Sequence, residues 1–227
     1  MATSSFELTS LQTEVLAAFF KIENRFFLTG GGALVGFYLA HRVTEDLDLF
    51  TLEAEAFEAG KRALRHVAEE VGAEPLIRQE SPGFIRFFLA RGEESVVVDL
   101  VLERTPQLSE TKVWQDGIRL DPLEEIFANK LCTLVGRAEI RDVIDVMVLE
   151  NRGLSLESGL EAALEKDGGA TPASLAWVLS QLFVPDQAEL PGLVDAHQLR
   201  SYVEDLIQRL RHLAQPGSSN SVERLGG

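Results

Sequence analysis

The chain is poor in cysteine, in positive charge and in long apolar runs, and each shortage excludes something. A single cysteine, Cys132, rules out an internal disulfide, and no Cys and His cluster has the spacing of a zinc site. Cys132 falls in an apolar stretch with helical spacing and reads as core. Lys and Arg number 21 against 36 Asp and Glu, giving a formal net charge of −15. That balance argues against a protein that coats nucleic acid, because neutralising phosphates takes clustered cations, although a local basic groove stays open. No apolar run approaches the roughly 20 residues needed to cross a bilayer. Met1-Ala2-Thr3-Ser4-Ser5 lacks the basic and then apolar order of a secretion signal, so the expectation is a cytoplasmic protein without a membrane partner. No internal repeat is visible.

What is present suffices for a sizeable core: 227 residues, 45% of them hydrophobic. Leu11, Val15, Leu16, Phe19 and Phe20 recur at helical spacing behind a Thr9 or Ser10 cap, so the chain opens with an amphipathic helix. A short strand over 25–29 runs into Gly30-Gly31-Gly32, which turns the chain into a helix over 33–40, and a strand follows over 46–50. A helix over 54–71 turns Phe57, Leu64, Val67 and Val71 inward. Three strands without an intervening helix come next, over 74–79, 84–90 and 95–102, which implies an antiparallel or mixed sheet. Gln115-Asp116-Gly117 reads as a hairpin tip before a strand over 118–120. Asp121 as cap, Pro122 at the first helical position and Glu124 behind it start a helix that runs to about residue 135. The rest is helical, over 140–149, 156–164, 172–183 and 198–213. The expected fold class is therefore α+β: an α/β core over 1–120, a carboxy-terminal helical bundle over 121–214, and a Gly/Ser-rich disordered tail over 215–227. Phe26, Phe27, Phe84, Phe87, Phe88 and Trp177 read as core, not as base-stacking platforms.

Asp46 and Asp48 lie two apart on a strand, so both carboxylates project from the same face. Like charges that close repel unless a cation lies between them, and magnesium or manganese takes oxygen ligands while keeping positions for water or phosphate. Asp99, which ends the apolar run Val96-Val97-Val98, is the candidate third carboxylate of a two-metal site. The metal set is thus Asp46, Asp48 and Asp99. Gly30, Gly31 and Gly32, between a strand and a helix, would aim bare amides at a polyphosphate. Thr29 could add a hydroxyl or simply be a strand residue. Either signal alone is ambiguous, because a triple glycine can be only a tight turn; together, in a strand, turn, helix, strand order, they point to a nucleotide site.

These residues resemble a known superfamily. Gly31-Gly32, thirteen residues, and then Asp46-Leu47-Asp48 is similar to the signature of the DNA polymerase beta type nucleotidyltransferases, which place a third carboxylate where Asp99 falls. More specifically, Thr29-Gly30-Gly31-Gly32-Ala33-Leu34 followed by His41-Arg42-Val43-Thr44-Glu45-Asp46-Leu47-Asp48-Leu49-Phe50 resembles the first motif of the AbiEii/AbiGii toxin family of toxin and antitoxin systems. Lys130, Arg137 and Arg141-Asp142-Val143-Ile144-Asp145 are similar to that family's second block. The resemblance covers about residues 27–149, and it departs at Gly32, where the family pattern often has Thr, so one hydroxyl is missing.

The second block also has a direct physical reading. On one helix Arg141 and Asp145 are four apart, and Asp142 and Asp145 three apart, so they share an edge. A triphosphate needs cations as well as metal; Lys130 as a catalytic cation and Arg137 beside it would supply them. A structural ion-pair network between helices is the alternative for Arg141, Asp142 and Asp145. Arg42, just before the metal strand, pairs well with phosphate, and His41 is a weaker candidate.

The resemblance implies a nucleotidyltransferase fold and transfer of a nucleoside monophosphate from an NTP, with Mg2+ or Mn2+ as cofactor. Asp46 and Asp48 hold metal, Asp99 shares a second ion and helps deprotonate the attacking hydroxyl, and pyrophosphate leaves. It also implies an RNA acceptor such as the tRNA 3′ end, or a protein hydroxyl, and a cognate antitoxin. Three rivals stand beside it: an inactive nucleotide- or partner-binding module of the same fold, an antibiotic nucleotidyltransferase, and a dinucleotide-binding turn at Gly30-x-Gly32-x-x-x-Gly36. The last is disfavoured because the later strands run on without crossover helices. An EF-hand at Asp46 fails, since residues 49–52 lack the next ligand and the glycine.

Overall fold

The computed structural model describes residues 7–186, 190–192 and 194–215. Of the tail expected over 215–227, everything beyond Gln215 lies outside the described residues, as do residues 1–6. The chain divides into two compact units between Ile126 and Phe127.

In the first unit, α1 (Ser10–Ile22) begins at a capping box: the Gln12 amide donates to Thr9 Oγ1, and the Thr9 amide donates to Gln12 Oε1. Its apolar stripe, Leu11, Val15, Leu16 and Phe19, is fully buried, and Phe19 meets Phe26 edge-on at 5.3 Å. Seven strands form one mixed sheet in the order β3-β4-β5-β2-β1-β7-β6. They are β1 (Phe27–Thr29), β2 (Asp46–Thr51), β3 (Glu74–Ser81), β4 (Phe84–Arg91), β5 (Glu94–Leu102), β6 (Val113–Gln115) and β7 (Ile118–Leu120). The expected meander β3-β4-β5 is antiparallel throughout, whereas β2 lies parallel to β5 and antiparallel to β1.

The alternation along β2 decides what each sheet face does. Leu47, Leu49 and Thr51 are buried, while Asp46, Asp48 and Phe50 are half-buried on the other side. Leu49 pairs in register with Leu100, and Gly60 of α3 (Ala54–Glu70) packs against Phe26 and Leu100. The helical layer thus covers the apolar face, and the carboxylates face away from it. Phe57, Leu64 and Val67 of α3 are buried as expected; Val71 ends the helix half-buried.

Two local readings are corrected. The strand expected over 25–29 begins only at Phe27, because Arg25 bends back to the Glu23 carboxylate through its amide and Nε. The helix expected after the glycines starts on them: α2 (Gly30–Ala33) runs straight into a π-helical segment, Leu34–Tyr38, closed by the Leu39 amide donating to Leu34 O at 2.7 Å.

The second unit is helical. After α4 (Leu123–Gly136), which holds the division between the units, come α5 (Ile140–Asn151), α6 (Leu156–Lys166), α7 (Pro172–Leu179) and α8 (Ala196–Leu213). Ser155, Thr171 and Asp195 cap the last three with side-chain oxygens. Helix α8 packs on α7 and α5. Trp177 overturns its assignment to the core: α7 is apolar nearly all round, and its buried side is taken by Leu175, Ala176 and Leu179, leaving Trp177 68% exposed. Phe26, Phe27 and Phe87 are buried as expected. The fold is α+β, with seven strands and eight α-helices among the described residues. No described helix is long and apolar enough to cross a membrane.

Candidate active site

Register places one row of polar residues across four strands. Arg86 of β4 is opposite Asp99 of β5, Asp99 is beside Asp48 of β2, and Asp48 is opposite Thr29 of β1. Directly paired residues share a sheet face. Asp46 projects from that face one pleat earlier, its Oδ1 accepting from Thr44 Oγ1 at 3.1 Å.

The glycine turn rests on this row. Gly30 has φ +61°, and a β-carbon there would overlap the Asp48 carboxylate. At Gly31 a β-carbon would come within 2.8 Å of Arg42 Nη2. The backbone can therefore lie against Asp48 and the Arg42 guanidinium only without side chains. Gly32 lies against Leu28 and Leu47. Arg42 is buried and donates Nη1 to Val43 O at 2.8 Å. His41 is buried beside it.

Thr29 is buried near Asp121, without a hydrogen bond of good geometry from its hydroxyl. The expected cap residue Asp121 is also buried, and its Oδ1 accepts from Lys112 Nζ at 2.7 Å. Burial pushes the Asp121 carboxyl above its ordinary value, opposed by Lys112 and by Thr29. Lys112 in turn donates to Gln107 Oε1 at 2.6 Å and sits over the Phe27 ring at 4.2 Å.

Asp99 is where the arrangement departs from a three-carboxylate set. Arg86 Nε donates to its Oδ1 at 2.8 Å and Nη2 to its Oδ2 at 2.6 Å, so both oxygens are engaged by one guanidinium. Among the described residues no three Asp, Glu, His or Cys side chains stand together as a metal-holding group. Asp46 and Asp48 still fit a magnesium ion, which is commonly held by one or two carboxylates while water and substrate phosphate fill its other positions. Arg86 is the member that motif reading misses. The turn at Arg91-Gly92-Glu93 carries the signal: Arg91 pairs with Glu94, and counting back along the hairpin sets Arg86 opposite Asp99.

The second expected group lies in the second unit. Lys130 Nζ reaches Asp142 Oδ1 at 2.8 Å and Asp145 Oδ2 at 2.7 Å, and both aspartates are fully buried. Burial pulls the Lys130 ammonium's pKa down, but Asp145 and Asp142 outweigh it and the net shift is upward. Arg137 Nε approaches Asp142 Oδ2 at 3.6 Å, and Arg141 Nε pairs with Glu139 Oε2 at 2.8 Å. Half-buried Cys132 points its thiol at Ala163 O.

Set against known proteins, residues 14–216 match the family described as Nucleotidyl transferase AbiEii toxin, Type IV TA system. No curated protein matches the chain. Among solved structures, JHP933 from Helicobacter pylori is similar with a TM-score of 0.56 at 19% identity, covering 88% of this chain and 88% of that one. MenT4, a nucleotidyltransferase toxin from Mycobacterium tuberculosis H37Rv, gives a TM-score of 0.57 at 14% identity over 92% of this chain and 84% of its own. At such identities the likeness is one of fold.

Proposed function

The chain belongs to the AbiEii nucleotidyl transferase toxin family, and from that membership we propose that it moves a nucleoside monophosphate from an NTP to a hydroxyl, using Mg2+ or Mn2+ held at Asp46 and Asp48. The observation that carries this reading is the pair itself: two half-buried carboxylates on one sheet face, with the glycine backbone lying against one of them. When bound, the metal neutralises charge on the triphosphate and on the departing pyrophosphate. Asp46 and Asp48 bind and orient it. Thr29 and the amides of Gly30, Gly31 and Gly32 contribute to the nucleotide's seat, and Arg42, whose guanidinium packs against Gly31, is assigned to the nucleotide with them.

To the same reaction we assign Lys130, Arg137, Arg141, Asp142 and Asp145, on the strength of their sequence block. Lys130 is the cation for the triphosphate, and its two aspartates keep it charged. Asp99 is assigned the proton from the attacking hydroxyl on the strength of its motif position, with Arg86 holding its carboxylate. The acceptor we favour is RNA at the tRNA 3′ end, with a protein hydroxyl as the other outcome of the test. The working compartment is the cytoplasm, and the acidic balance suits an antitoxin that presents a basic surface.

Incubation with each labelled NTP, magnesium and either total tRNA or the purified protein alone tests this. Label should move to one acceptor in the wild type and fall to background in Asp46→Ala and in Asp48→Ala. Transfer retained in both variants would sink the assignment.

A further inference from the structure

The polar row across β4, β5 and β2 poses an electrostatic problem. Asp48 and Asp99 are register partners on adjacent parallel strands, which lie about 4.8 Å apart. Two carboxylates side by side repel unless a cation joins them or one is neutralised by another partner. The sheet supplies that partner from the next strand over. Arg86 is opposite Asp99, and its planar fork meets both carboxylate oxygens, at 2.8 and 2.6 Å. Asp99 is almost wholly buried, so its charge calls for a partner within the protein, while the Arg86 side chain is 41% exposed.

We propose that Arg86 is the built-in counter-cation of the third carboxylate, a positioning residue that keeps Asp99 out of the coordination of any ion at Asp46 and Asp48. The chain without nucleotide then binds one divalent cation, not two. This rests on the nucleotidyl-transfer reading, since that reading supplies the ion at Asp46 and Asp48.

The logic is a competition for one carboxylate. A guanidinium and a hard divalent ion both seek its oxygens, and the bidentate pairing already commits one acceptor site on each of them to Arg86. The field of Arg86 also reaches Asp46 and Asp48, which after Asp99 help hold the guanidinium charged. Arg86 thus offsets part of the repulsion in the acidic row.

Mn2+ binding followed by electron paramagnetic resonance, on the full chain without nucleotide, decides it. The wild type should bind one ion. Arg86→Gln should bind two, because Asp99 becomes available, and its melting temperature should rise with Mn2+ more than the wild type's. Arg86→Lys, which keeps the charge, should return the count to one. The double variant Arg86→Gln with Asp99→Asn is neutral at both positions, as the wild-type ion pair is, and should bind one ion with nearly wild-type affinity. If Arg86→Gln alone does not fold, that double variant carries the decision: a loss of about tenfold in its Mn2+ affinity would mean Asp99 was a ligand all along. Two ions in the wild type, or one in folded Arg86→Gln, would likewise overturn the role of Arg86 alone. A wild type that binds no Mn2+ overturns this inference together with the metal-dependent reading beneath it.

Discussion

Gly30 and Asp48 are in contact across the mouth of the glycine turn, at a distance that leaves no room for a β-carbon on residue 30. Gly30 also holds φ +61°, a conformation costly to any residue with a side chain. Gly30→Ala is therefore expected to lower stability by about 1–3 kcal/mol and to push the Asp48 carboxylate from its place. Thermal unfolding and the transfer assay together check this. A variant that melts like the wild type and keeps full transfer would show that the contact does not matter.

Lys130 lies between two fully buried aspartates, so Lys130→Met would leave Asp142 and Asp145 without their ammonium. Breaking a buried pair from one side costs about 3–5 kcal/mol, whereas removing all the charges together can be nearly neutral. The triple variant Lys130→Met, Asp142→Asn, Asp145→Asn should recover most of the lost stability and none of the transfer. Urea unfolding beside the transfer assay separates the two roles: transfer that returns with stability would make this group a structural network only.

The chain should lose stability at alkaline pH in two overlapping windows. Burial, with Asp167 adding to it, pushes the Cys132 thiol from 9.0 up to about 11. Burial, with Asp121 and Glu124, pushes the Tyr38 hydroxyl from 10.0 up to about 12. Each group holds its proton more tightly when folded, so the stabilisation is complete below the unfolded value and fades as pH rises through the folded one. The denaturation midpoint should fall between pH 9 and about 11 for Cys132, and between pH 10 and about 12 for Tyr38. Cys132→Ala should flatten the earlier limb; an unchanged profile would count against the buried thiol.

Much of this was legible because strands and helices repeat with fixed periods. The pairing of Asp46 with Asp48 on one face follows from a period of two, and the burial of Leu47 and Leu49 between and beyond them bears that alternation out. The capping box of α1 was foreshadowed by Thr9 and Ser10 ahead of an apolar stripe. What stayed hidden depended on partners far away in the chain. Nothing near Asp99 says that β5 docks parallel to β2, and the hairpin count that sets Arg86 opposite Asp99 does not say that the guanidinium engages both oxygens. Arg42 reads as a loop residue, yet the space left by Gly31 admits its guanidinium against the turn. In α7 a short, almost uniformly apolar sequence has no period to read, so Trp177 could be assigned to the wrong side.

The parallel pairing of β2 with β5 also sets an order of events. Asp46 and Asp48 leave the ribosome early, but their neighbour Asp99 arrives only after α3 and two further strands, and parallel strands cannot close through a local hairpin. Such non-local closure is slow compared with helix formation. A nascent chain that has not yet produced β5 carries both β2 carboxylates and no completed row. The acidic row is therefore whole only once β5 has docked beside β2.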